Sequence, residues 1–129
     1  MKLTTTLFLL AGLVLSVLHY FSLEFYLYWR YLWLDIPMHF LGGIVVALGY
    51  LTLHDFFPSW SRKLFTLYKT LAVVVLVAVA WEFFEVAIGV FFQQDRYVVD
   101  TLADLIMGLT GGSLGYYLSQ SVSQLDDHG

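Results

Sequence analysis

Six ionisable residues stand in pairs at helical spacing: Asp35 and His39, Glu82 and Glu85, Asp100 and Asp104. Residues four apart share one face of a helix, so Asp35 aligns with His39 and Asp100 with Asp104. Glu82 and Glu85, three apart, are separated by about 60° around the axis. Five carboxylates at close quarters repel unless a cation lies among them, some hold protons, or basic groups pair with them. The first resolution is a divalent metal, because carboxylates plus one imidazole form a suitable ligand set. The second is acid–base or proton-relay chemistry by carboxyl groups that keep a proton. The third is structural, with Arg96 or Arg30 and buried hydroxyls neutralising the cluster. As a metal site the ligands are His39, Glu82, Glu85, Asp100 and Asp104, with Asp35 orienting His39. As an acid–base site Glu82, Glu85 and Asp104 carry the catalytic roles. Arg96 precedes Asp100 by four residues in the segment QQDRYVV. It reads as a substrate anchor for phosphate or carboxylate, or as a partner of Asp95 or Asp100 that closes the loop.

The elements that must position these groups are membrane helices. The 129 residues are 60% hydrophobic, only 12% charged and carry a net charge of −4, and mean hydropathy is +0.77. A soluble domain carries about twice that charged fraction, roughly 25%. Disorder and an ordinary soluble domain are therefore excluded. The acidic balance leaves no basic patch for nucleic acid, and the lack of cysteine excludes disulfides and thiolate sites. Four stretches are long enough to span a bilayer, at 3–21, 36–57, 70–92 and 101–119. The expected fold is all-α, a single integral membrane bundle of four transmembrane helices with a solvated tail over 120–129. The first stretch reads as a retained helix, since no small-x-small cleavage site follows its apolar run. Residues 20–34 hold eight aromatics and are too short to span, so they read as an interfacial belt or short surface helix.

The loop around 58–69 carries Arg62, Lys63 and Lys69, and Lys2 joins them if both ends lie on that side, against Arg30 and Arg96 opposite. The positive-inside rule then places both termini in the cytoplasm. With that orientation all six groups enter from the extracytoplasmic side, Glu85 about 10 Å and Glu82 about 15 Å deep, His39 and Asp104 about 6 Å. The inner half of the third span carries no charge, nor does the fourth beyond Asp104. Other features read as structural. Gly108 with Gly112, and Gly111 with Gly115, form overlapping GxxxG spacings that bring helices close, within the chain or as a homodimer seam. Gly42 and Gly43 would let a neighbouring helix approach the site. Trp81 reads as core or as a lipid-facing or ligand-facing wall, His19 as an interfacial residue or a further ligand, and His54 and Asp55 as interfacial residues.

The collected pattern resembles the VanZ-like and YjdF-like small membrane proteins. It consists of Asp35-Ile-Pro-Met-His39-Phe-Leu-Gly-Gly, then Trp81-Glu82-Phe-Phe-Glu85, then Arg96, Asp100-Thr-Leu-Ala-Asp104 and glycines at 108 and 112. Order and separations agree over Asp35 to Gly115. The chain departs from VanZ-like sequences in having Glu85 and Asp104 where those tend to have Gln and Asn, and it is shorter than YjdF-like chains. The resemblance implies a polytopic protein of a bacterial or archaeal cytoplasmic (inner) membrane, of largely undefined activity, whose acidic positions are functional. The leading expectation is a small membrane enzyme or binder acting among membrane lipids, on a lipid or lipid-linked phosphate. The rivals are a proton- or cation-coupled transporter and a non-catalytic accessory subunit.

Overall fold

The computed structural model describes residues 2–88 and 97–126, and among these the regular structure is all helical. Helix α1 (Leu3–Glu24) is followed by a short α2 (Leu27–Arg30), α3 (Asp35–Phe56), α4 (Leu67–Ile88) and α5 (Tyr97–Asp126). Single 3₁₀ turns at Leu32–Leu34 and Arg62–Leu64 lead towards α3 and α4. Among the described residues, three segments are long and apolar enough to cross a membrane: Leu3–Glu24, Leu32–Phe56 and Leu67–Ala87.

The fourth expected span differs from those three. Residues 101–119 form the middle of a 30-residue helix that is not apolar enough to count as a crossing by composition. Three aspartates (Asp100, Asp104 and Asp126) and scattered Ser, Thr, Gly and Gln residues lower its hydropathy. The expected tail is also helical as far as Asp126, because polar residues do not end a helix and neither Pro nor Gly follows Ser119 before Gly129. Hydropathy marks where a span ends, not where a helix does.

Helix α3 is central, with Met38, Ile44, Ala47, Leu48 and Leu51 buried. It runs parallel to α5 at very short range. A Cβ on Gly43 would run into the carbonyl of Gly108, and one on Gly111 into the carbonyl of Phe40. One on Gly115 would lie 3.0 Å from the carbonyl oxygen of Ile44. Where lipid offers no hydrophobic drive, such backbone approach is what associates helices. Gly111 and Gly115 of α5 thus pack against α3 within the chain, as the intramolecular reading of the glycine spacing expects. Val74 of α4 packs onto the same stripe at Gly112.

At the end where α1 begins, Asp55 is paired with Lys2 at 3.1 Å and accepts a hydrogen bond from Thr5 Oγ1 at 2.9 Å. Thr4 and Ser119 share a buried hydrogen bond of 3.2 Å. Asp55, expected as a merely interfacial residue, therefore ties α1 to α3.

The aromatic segment is divided. Helix α1 takes it as far as Glu24, and Tyr26 then adopts φ 54° in the left-handed region. This turn directs the four residues of α2 back over the bundle. Phe25, Tyr26, Trp29 and Trp33 stay exposed, as rings at a headgroup layer do, whereas Tyr28 is buried. Tyr26 is 70% exposed, so its ring adds little packing against a left-handed penalty of about 1–2 kcal/mol. Tyr26→Gly is expected to raise stability by about 0.5 kcal/mol after glycine's own entropy, read by denaturant unfolding in detergent. A loss of stability would show that the ring anchors the turn.

Candidate functional site

The site forms where α3 and α5 begin and α4 nears its end. The turn at Leu32–Leu34 delivers Asp35 as the first residue of α3, and one helical turn later His39 lies beneath it. His39 Nε2 is 3.6 Å from Asp35 Oδ1 and 3.9 Å from Asp104 Oδ2 on α5. Ligands sharing one tetrahedral ion at bonds of about 2.1 Å stand roughly 3.4 Å apart, so small side-chain movements would close this triad on a cation. A second triad joins His39 to Glu82 and Glu85 of α4, its ligand atoms all within 4.8 Å of one another. The imidazole is the shared member of both groups. The two triads share no carboxylate, so they offer adjoining or merged cation positions.

Hydrogen bonds fix some of these acids and leave one open. Glu82, 8% exposed, accepts a bond of 2.9 Å from Thr101 Oγ1, which joins α4 to α5. Glu85 accepts one of 2.8 Å from Trp81 Nε1. Asp104 is 3% exposed, and its Oδ1 is buried with no hydrogen-bond partner among the described residues. A buried carboxylate oxygen without a donor is costly, on the order of several kcal/mol if charged. It is the oxygen a cation or a proton would satisfy. Replacing Glu82 with Gln keeps the Thr101 bond but removes a charge. Glu82→Gln is therefore expected to change unfolding free energy by less than about 1 kcal/mol, measured in detergent; collapse of the fold would make the residue's role structural.

The structure brings Asp35, His39, Glu82, Glu85 and Asp104 together as the spacing predicts. Asp100 is half-buried one turn before Asp104 and stands outside both triads. Arg96, the expected anion anchor, lies outside the described residues. Trp81, expected in the core, is 40% exposed and is instead the donor that holds Glu85.

Residues 1–124 match the family described as Predicted membrane protein (DUF2238). The chain belongs to the DUF2238 family. No curated protein and no solved structure matches it. As a DUF2238 member it is a membrane protein, and its several apolar helices make it multi-pass. The family match is coarser than the VanZ-like and YjdF-like resemblance, which rests on the order of the motifs alone.

The wall of this DUF2238 site includes a pair, His19 and Tyr28, of which sequence reasoning missed Tyr28. His19 of α1 shares a 2.7 Å hydrogen bond, through Nδ1, with the hydroxyl of Tyr28. The two rings lie 5.7 Å apart, and His19 meets Trp81 edge-on at 6.1 Å. Burial first, then the charges of Asp35 and Glu85, push the Tyr28 hydroxyl well above the ordinary phenol range, so it remains protonated. Nothing in composition separates Tyr28 from Tyr26 or Tyr31; the left-handed turn at Tyr26 does. Tyr28, Asp35 and His39 together border a cavity of about 210 Å³ that continues between α1, α3 and α4. Tyr28→Phe is expected to lower stability by about 1 kcal/mol, seen in denaturant unfolding. An unchanged midpoint would mean that water replaces the bond.

Proposed function

We propose that this protein holds a divalent cation in the acid–histidine cluster and uses it to bind, or act on, the phosphate of a lipid or lipid-linked ligand. The observation that carries the reading is Asp104, whose Oδ1 is buried and unpartnered among the described residues and whose Oδ2 stands 3.9 Å from His39 Nε2 in a triad near ligand spacing. Carboxylates and one imidazole suit manganese, magnesium or zinc. The ion would be held by His39 and Asp104 with Glu82 or Glu85, and Asp35, which faces the same His39 Nε2 as Asp104, would stand as a further ligand and not as the group that orients the ring; Asp100 lies close by on α5. A cation is also what would let an acidic site accept an anionic headgroup. Arg96 is the proposed second contact to that anion. If the activity is hydrolytic, a metal supplies an activated water and the neighbouring glutamates manage its protons.

In this reading α5 crosses the membrane as a fourth helix, with Thr101 bonded to Glu82 of α4 and Asp104 beside His39 of α3. Both termini lie in the cytoplasm, and the cluster opens to the other side of a bacterial or archaeal cytoplasmic membrane. Transport is less well supported, because Ala47 and Leu48, at 0% and 1% exposed, separate the cluster from the polar pocket at Lys2, His54 and Asp55. Equilibrium binding of manganese to purified protein tests the proposal. About one ion per chain is expected, with affinity at least tenfold weaker in Glu82→Gln; a wild-type protein that binds none overturns it.

A further inference from the structure

Gly42 and Gly43 are neighbours on α3 that meet different surroundings. A Cβ at Gly43 would run into the carbonyl of Gly108, so helix packing accounts for that glycine. A Cβ at Gly42 would meet nothing within 4 Å. Packing thus gives no reason for a missing side chain, and glycine inside a helix is less favourable than alanine. What Gly42 borders is the cavity beside the cluster.

That cavity has two chemical ends. Tyr28, Asp35 and His39 supply its polar groups, and Leu15, Val46 and Val77 are among its apolar walls. His39 and Val46 are seven residues apart on α3, which is about 10 Å along the axis. Such an apolar space stays dry and takes apolar guests rather than water. Its apolar walls come from α1, α3 and α4, the helices long and apolar enough to cross a membrane, where hydrocarbon chains are the guests on offer. A space with a charged end and a hydrocarbon-lined remainder is complementary to a single-chain amphiphile.

We infer that the cavity holds one hydrocarbon chain of the phosphate-bearing ligand, and that Gly42 keeps the space open for it. The phosphate end of this assignment rests on the proposed cation site; the chain end rests on the cavity and Gly42 alone. Gly12 of α1 provides a matched control, since a Cβ there also meets nothing within 4 Å but Gly12 does not line the cavity.

The test is binding of dodecyl phosphate, followed by native mass spectrometry of detergent-purified protein, with manganese binding measured on the same samples. Wild type and Gly12→Leu should each bind one dodecyl phosphate per chain. Gly42→Leu should bind it at least tenfold more weakly while taking up manganese like wild type. Gly42→Val, with a smaller side chain, should show a partial loss and guards against a folding defect in the leucine variant. If the valine and leucine variants bind dodecyl phosphate like wild type, or if wild type binds none, the assignment is overturned. Wild type that takes up no manganese but shows the Gly42-dependent loss keeps the cavity's assignment and removes the cation site.

Discussion

Asp104→Asn should weaken manganese binding at least 100-fold while leaving the cation-free protein as stable as wild type or more so. The two halves of this result have one cause. Asp104 is 3% exposed, and its Oδ1 has no donor among the described residues, so without a cation the carboxylate imposes a cost rather than a contact. An amide is neutral and is cheaper to bury than a carboxylate, so the empty site gains about 1–3 kcal/mol. With the cation present the balance reverses, because the variant has lost a charged ligand from the triad with His39 and Asp35. Thermal unfolding with and without manganese reads both effects at once. Wild type should be stabilised by the ion, by RT ln(1 + [L]/Kd), and Asp104→Asn should not. Instability of the variant in both conditions would make the cluster a structural network.

The second large effect is expected at the α3–α5 contact. Gly43→Ala should destabilise the bundle by about 2–3 kcal/mol, the upper part of the range for overpacking. Its Cβ would run into the carbonyl of Gly108 and lie 2.9 Å from the amide nitrogen of Gly112. These are backbone atoms of a long helix and cannot rotate aside as a side chain would. The helices must then separate, which also draws Asp104 away from His39. Gly42→Ala, one residue earlier and with open space around it, should be neutral or slightly stabilising through helix propensity. Unfolding in mixed SDS and mild-detergent micelles separates the two. Equal stability of Gly43→Ala and wild type would mean that the helices pack less closely than this.

Much of the site was legible because helical spacing and depth are arithmetic. The pairs 35/39 and 82/85, together with Asp104, needed only the period of the helix and a common starting boundary, and they meet around His39. Asp100 shares a face with Asp104 but sits a full turn nearer the end of α5, so equal spacing did not give equal participation. The GxxxG runs fixed a close contact, while their partner, α3, depended on the tertiary arrangement. Gly42 and Gly43 look identical in sequence and differ only in what stands opposite. Tyr28 was hidden for a different reason. Its insertion depends on one left-handed residue, Tyr26, and a tyrosine carries no sequence signal for that conformation. Helix α5 runs past the expected span end at 119 to Asp126, because polar residues end a span without ending a helix.

The most direct test is a structure of the protein soaked with manganese, using anomalous scattering to locate the ion. The account predicts one peak about 2.0–2.3 Å from Asp104 Oδ1 and from a ring nitrogen of His39, with Glu82 or Glu85 completing the shell. A peak elsewhere, or no peak at saturating manganese with Asp104 Oδ1 still unpartnered, would contradict it.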